Sequence, residues 1–348
     1  MKRKARWALA GVLALAAPVL LAACGTPPPL DVSARVLQGA APDTACGQSL
    51  CSILRLGEPI DFIAGERVHP ARWQEYPVDA MWRSPSGQMW AVGFSGLGLV
   101  HWDGRRWLHY PRMGGFKSVW GSGDDDVWAV GDNVVHWDGA RWERRSAGLE
   151  GSYGLLWAVW GSGRGDVWAS GEFGRVVHWS GTRWEERPIG VERDVVAISG
   201  SSADHVWVGS FDREIARWDG RSWHAHRPPA FTSVLPSMEA LAVVAPDEVW
   251  LADGRDLFRW DGRRWTHVPT DFNADHVVAA HGRILAAGTV GQQFVTGDGS
   301  NVGAWEWREN RWTRLGIRTK GGIAALVPDD RGRIWIGTDA GEVMRLDP

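Results

Sequence analysis

The sequence carries no HExxH, no phosphate-binding glycine loop, no nucleophile elbow and no dinucleotide fingerprint. Those absences remove the enzyme classes that show themselves in a short stretch of chain, while a site gathered from distant strands stays open. Cysteine is scarce, with Cys24, Cys46 and Cys51 alone, too few for a disulfide-built fold of 348 residues. A basic excess is also missing: 38 Lys and Arg face 41 Asp and Glu, and Lys2, Arg3, Lys4 and Arg6 crowd the first six residues. Nucleic acid is therefore not an expected partner. Metal ligands do not cluster either. His224 and His226 share one strand face by their period of two, but no third ligand follows nearby, and the acidic turn at Asp124, Asp125 and Asp126 is replaced in other copies and reads as solvated. No metal and no cofactor is expected.

What the sequence has in abundance is repetition. The phrase VWGSGDDDVWAVGDNVVHWDGARW at residues 119–142 returns seven times with varying fidelity. A block of about 40 residues made of short apolar runs and tight turns cannot bury its own faces, so the copies must pack on one another. Its second strand can be followed as MWAVG, VWAVG, VWASG, VWVG, VWLADG, ILAAG and IWIG. These runs are apolar without alternation, as expected for sheets covered on both faces. Asp-Gly between the third and fourth strands is a hairpin signal. The seventh copy ends at Pro348 without a fourth strand, while residues 71–77 (ARWQEYP) read as a fourth strand lacking a third. The expected fold is all-β: a seven-bladed propeller of four-stranded antiparallel blades over residues 68–348, closed by an N-terminal strand that completes the last blade.

Ahead of the repeats, residues 1–24 have a basic start, an apolar stretch from Ala8 to Ala23, and Leu21-Ala22-Ala23-Cys24. The apolar stretch falls short of the ~20 residues a bilayer crossing needs and reads as a secretory signal. Leu-Ala-Ala-Cys resembles the lipobox of bacterial lipoproteins, which implies lipidation of Cys24 and anchoring to a membrane through acyl chains. Gly25 after the cysteine, by resemblance to Gram-negative sorting signals, points to the outer membrane, facing periplasm or cell surface. Cys46 and Cys51 then sit in a compartment that permits disulfides and are expected to pair; a metal site is the alternative, short of ligands. Residues 25–67 read as a tether holding that pair.

The last copy, VPDDRGRIWIGTDAGEVMRLDP, resembles the repeat of two-component-regulator propellers. The other copies resemble the GS-x-x-DVWAVG repeats of bacterial propeller lipoproteins, a group with no common enzymatic activity. These resemblances span residues 68–348 and imply a fold, since propellers host many unrelated activities. Likeness to the propeller lipoprotein of the outer-membrane barrel-assembly machinery is architectural only, because that family has eight blades and another repeat motif.

Most of the 25 tryptophans fall at fixed repeat positions and read as packing between blades. Trp157 and Trp305 fall outside the register and are the tryptophans to consider for a ligand. His101, His136 and His178 occupy a position where other copies carry Arg217, Arg259 or Glu306, which reads as a solvated strand site. Antiparallel order puts the loops after second and fourth strands on one face. That face varies in length and content, and binding residues favour variable loops on a rigid scaffold. The candidate binding residues there are Phe94, Glu172, Phe173, Phe211, Asp212, Arg213, Arg255, Gln293 and Phe294, with Trp157 and Trp305. The expected function is non-enzymatic: a lipid-anchored scaffold for an envelope protein partner, with a glycan-binding or glycan-processing surface lipoprotein as the alternative.

Overall fold

A computed structural model describes residues 76–348 apart from 104, 111–112, 147–148, 150–153, 227–239, 292–294 and 297–298, together with the backbone of two earlier strands, Arg35–Leu37 and Cys51–Arg55. The chain forms seven antiparallel sheets arranged as a β-propeller. Inner strands are Ala80–Arg83, Phe116–Gly123, Leu156–Gly163, Val195–Ser202, Ala240–Ala245, Asn273–Ala280 and Ile323–Pro328 for blades 1 to 7. Each inner strand touches that of the next blade, and the seventh touches the first, so the ring closes.

The closing strand differs from the one the repeat pattern indicates. Cys51–Arg55 completes blade 7, pairing Cys51 with Arg345, Ser52 with Met344, Leu54 with Val343 and Arg55 with Glu342. Tyr76 and Pro77 are in no strand, and residues 71–75 lie outside the described residues. An outer edge is filled through backbone hydrogen bonds, which any extended segment can supply, so the repeat's tryptophan pattern is not required there. Arg35–Leu37 adds a fifth strand to blade 1 by pairing with Trp107–Tyr110. The stretch that reads as a tether thus lends two strands to the ring. Cys24 and Cys46 lie outside the described residues, and so therefore does the expected Cys46 to Cys51 bond.

The repeat phrase explains the packing. Second strands such as Met89–Gly93 and Asp126–Gly131 are buried along their whole length. In blades 1 to 5 the second-strand tryptophan inserts between the third- and fourth-strand tryptophans of the next blade. Trp128 lies 5.2 Å from Trp179 and 5.6 Å, edge-on, from Trp184. Trp90, Trp168, Trp207 and Trp250 do the same to Trp137 and Trp142, Trp218 and Trp223, Trp260 and Trp265, and Trp307 and Trp312. Inner-strand tryptophans play a second part: Trp120 lies against Gly161 of blade 3, where a Cβ would stand 2.5 Å from its Cη2. The glycine of GSG is there because the neighbouring indole occupies the space a side chain would need.

Candidate functional site

Two positions in the repeat interlock chemically. The residue before the second strand's apolar run faces the residue before the third strand's tryptophan. In blade 2 the Asp126 carboxylate accepts from His136 Nε2 at 2.7 Å, from Trp128 Nε1 at 3.2 Å and from the Ser122 hydroxyl. Burial pushes the Asp126 carboxyl up, and hydrogen bonds from His136 and Ser122 outweigh it, holding the group below the usual carboxylate range. Asp166 repeats the arrangement with His178 and Ser162. The order of atoms decides the chemistry: the carboxylate lies between serine and histidine, so no base draws on the hydroxyl, whereas a nucleophilic triad puts the histidine in the middle. These are structural latches. His101, His136 and Glu306 are buried, and so is Asp126, against the expectation of solvated positions; each has a polar partner on the adjacent strand that permits burial.

On the loop face, much of the polar inventory is also spent internally. Glu172 Oε2 accepts from Leu155 N–H at 3.0 Å, and Asp132 Oδ2 from Gly115 N–H at 3.2 Å. Phe94 is half-buried, its N–H donating to Asp79 Oδ2 at 2.7 Å. At the lip of the central channel, Lys117 pairs with Asp79 at 2.7 Å, with the rings of Phe94 and Trp157 at 4.8 and 5.5 Å from its ammonium. Trp157 is half-buried there. The Lys117 and Asp79 charges were missed in the sequence reading because neither belongs to a repeat motif. Arg255 is exposed, with its N–H donating to Asp253 Oδ1 at 3.1 Å.

Trp305 is not a ligand platform. It is 2% exposed and stacked on Phe272 at 3.7 Å. Blade 6 lacks the usual second-strand tryptophan, and Trp305 pairs opposite Ala286 and lies over Gly303, where a Cβ would stand 2.7 Å from its Cη2, so the indole fills the room these two small residues leave. Gln293 and Phe294 lie outside the described residues.

Among the described residues, two aromatic side chains remain free of the scaffold. Phe173 is 73% exposed and Phe211 46% exposed, on the second-to-third-strand loops of the adjacent blades 3 and 4. Asp194 holds both loops: its Oδ1 accepts from Phe173 N–H at 3.2 Å and its carbonyl from Phe211 N–H at 2.8 Å. Phe173 also has a φ of 59°, a left-handed conformation that costs a bulky residue about 1–3 kcal/mol. Asp212 pairs with Arg193 at 3.2 Å, and Arg213 reaches toward the buried Asp253 at 3.8 Å. Burial pushes the Asp253 carboxyl up. Between blades 2 and 3, an open cleft of roughly 130 Å³ is lined by Asp132, Asn133, Arg144 and Arg175, and both arginines are engaged, with Asn133 and Glu186.

No protein-family model and no curated protein matches the sequence. Solved structures do match in fold. A catalytically inactive virginiamycin B lyase from Staphylococcus aureus with quinupristin is 14% identical, with 86% of this chain and 99% of that one aligned at a TM-score of 0.66. The extracellular domain of the putative one-component system BT4673 from B. thetaiotaomicron is 14% identical over 77% of this chain and 38% of that one, at 0.60. YCF48 bound to D1 peptide is 14% identical over 78% and 92%, at 0.59. At such identities the likeness concerns the propeller alone, which a lyase, a sensor ectodomain and a peptide-binding protein share.

Proposed function

We propose that this chain is a lipid-anchored propeller of the bacterial outer membrane, tethered through Cys24, that binds an envelope protein through its loop face without catalysing a reaction. The observation that carries this reading is the Phe173 and Phe211 pair, exposed yet rigidly held through Asp194, with backbone strain maintained at Phe173. Exposed aromatics on rigid backbone are the anchors that dominate protein interfaces. Glu192 and Glu214 are exposed around them, while Asp212 is offset by Arg193, so the fitting partner surface is an apolar pocket with lysine or arginine at its rim. The same acidic rim opposes anionic lipid headgroups and nucleic acid. That YCF48, of like fold, holds a peptide lends the fold-level precedent.

The test is affinity capture from detergent-solubilised envelope with the parent chain and a Phe173→Ser, Phe211→Ser variant of unchanged thermal midpoint. One protein retained by the parent and lost by the variant supports the reading. Equal retention by both removes the aromatic pair from it. The glycan alternative keeps one observation, Trp157 at the channel lip, where Lys117 neighbours the indole. Glycan-array binding abolished by Trp157→Ala and indifferent to the phenylalanines would favour it.

A further inference from the structure

The latch between second and third strands has an acceptor in every blade but one. Blade 1 uses Gln88 with His101, blades 2 and 3 use aspartate with histidine, and blade 5 pairs Glu248 with Arg259 at 2.9 Å. Blade 6 inverts the polarity, Arg283 meeting Glu306 at 2.7 Å. Blade 7 has arginine at both positions and supplies each with its own carboxylate, Asp329 for Arg333 and Asp347 for Arg345. Blade 4 has His205 and Arg217 at these positions. Among the described residues no carboxylate meets either.

Register places His205, Trp207, Arg217, His224 and His226 on one face of blade 4, because Trp207 is opposite Arg217 and Arg217 opposite His224. This is the face that packs on blade 5, where Trp207 meets Trp260 and Trp265. His205 is 7% exposed. Its Nδ1 is turned to Ser201 Oγ at 3.1 Å, which leaves Nε2 buried on the other side of the ring with no hydrogen-bond partner. Arg217 Nε is buried without one as well. The His226 ring lies 4.6 Å from that of Trp207. His224 alone is satisfied, by Asp219 at 2.6 Å. The only other acid on these turns, Asp204, is exposed and takes the Ser202 hydroxyl at 2.6 Å. Arg217 and His226 are half-buried and His224 exposed, so the outer edge of the blade leads into the cluster.

We infer that blade 4 is an oxyanion site in which a phosphate-type group takes the place of the missing carboxylate, held by the Arg217 guanidinium and His205 Nε2–H. A guanidinium presents paired donors that match two oxygens of such a group, and buried donors without acceptors are costly to leave open. A metal ion does not fit, since Arg217 supplies repulsion and no lone pair. The site is separate from the aromatic pair and stands whether or not that surface binds a protein.

Calorimetric titration of inorganic phosphate into the full chain in detergent, at low ionic strength, is expected to show saturable one-site binding. Arg217→Gln should weaken it by about tenfold or more, while Arg263→Gln, at an exposed turn of blade 5, should leave it unchanged. The imidazole resonance of His205 in the parent should move with phosphate, and that of the exposed His281 should not. A second arm uses phosphatidylglycerol vesicles and chains carrying Cys24→Ser, so that no acyl anchor contributes: co-sedimentation lost on adding Arg217→Gln assigns the phosphate to a lipid headgroup, and phosphate binding without co-sedimentation assigns it to a soluble ion. No saturable binding, binding retained in Arg217→Gln, or movement of His281 alone means an adventitious ion only and overturns the proposal.

Discussion

Acid should unfold this propeller through His101 before its carboxylates matter. The His101 ring is stacked on Trp90 at 3.3 Å and is 2% exposed. Its Nε2–H donates to Gln88 Oε1 at 2.7 Å, which leaves Nδ1 as a bare, buried nitrogen with no partner. A proton on Nδ1 would bury a charge and a donor without an acceptor. Burial accordingly pulls the group from 6.5 to about 3, against smaller upward pulls from Asp103 and Asp124. The sign follows directly: the unfolded chain takes up the proton near its ordinary value and the folded chain does not, so stability is full above that value and falls as pH drops toward the folded value. At ~1.36 kcal/mol per unit, the loss is about 3 kcal/mol by about pH 4 and approaches ~5 kcal/mol below the folded value. Against a typical margin of ~5–15 kcal/mol, that is a large share. Urea unfolding of the parent and of His101→Gln, whose amide can still donate to Gln88, should give curves that converge as pH falls. If the stability difference between the two stays constant to within ~0.5 kcal/mol from about pH 7 to about pH 4, the reasoning is wrong.

Two further perturbations test the packing and the loop face. Gly161→Ala places a methyl 2.5 Å from Trp120 Cη2 and 2.7 Å from the Asp166 carbonyl oxygen, and neither backbone nor sandwiched indole can retreat, so chemical denaturation should show a loss of about 1–3 kcal/mol. Asp253→Asn should be at least as stable as the parent at neutral pH. Burial raises the folded carboxyl, so the parent loses stability as pH climbs from the unfolded value of 3.8 through the folded one, while the amide oxygen can still accept from Arg255 and Asp256 N–H. The two proteins should converge below about pH 4, and a variant weaker than the parent at neutral pH would show that the Arg213 contact outweighs the burial cost.

The ring was legible because its cause is periodic. Val127, Trp128, Ala129 and Val130 recur in kind in the other blades, and a sheet covered on both faces demands an unbroken apolar run. The closing strand was not legible for the opposite reason: Cys51–Arg55 shares nothing with the repeat, because pairing with Glu342–Leu346 is done by backbone groups that every residue carries. Trp305 misled because departure from the register was read as freedom from packing, when the indole fills room left by Ala286 opposite it and Gly303 beneath it. His101, His136 and His178 misled through a related step. Exchange of His for Arg or Glu at one position suggests solvent only when that position is considered alone; beside Gln88, Asp126, Asp166, Glu248 and Arg283 the exchanges are paired, donor for acceptor, and paired polar groups can be buried. The same pairing identifies blade 4 as the exception. His205 facing Arg217 breaks a rule that five of the other sheets obey and that blade 7 meets by giving each of its two arginines a carboxylate of its own, and such a break is where selection for a ligand leaves a mark that sequence periodicity cannot hide.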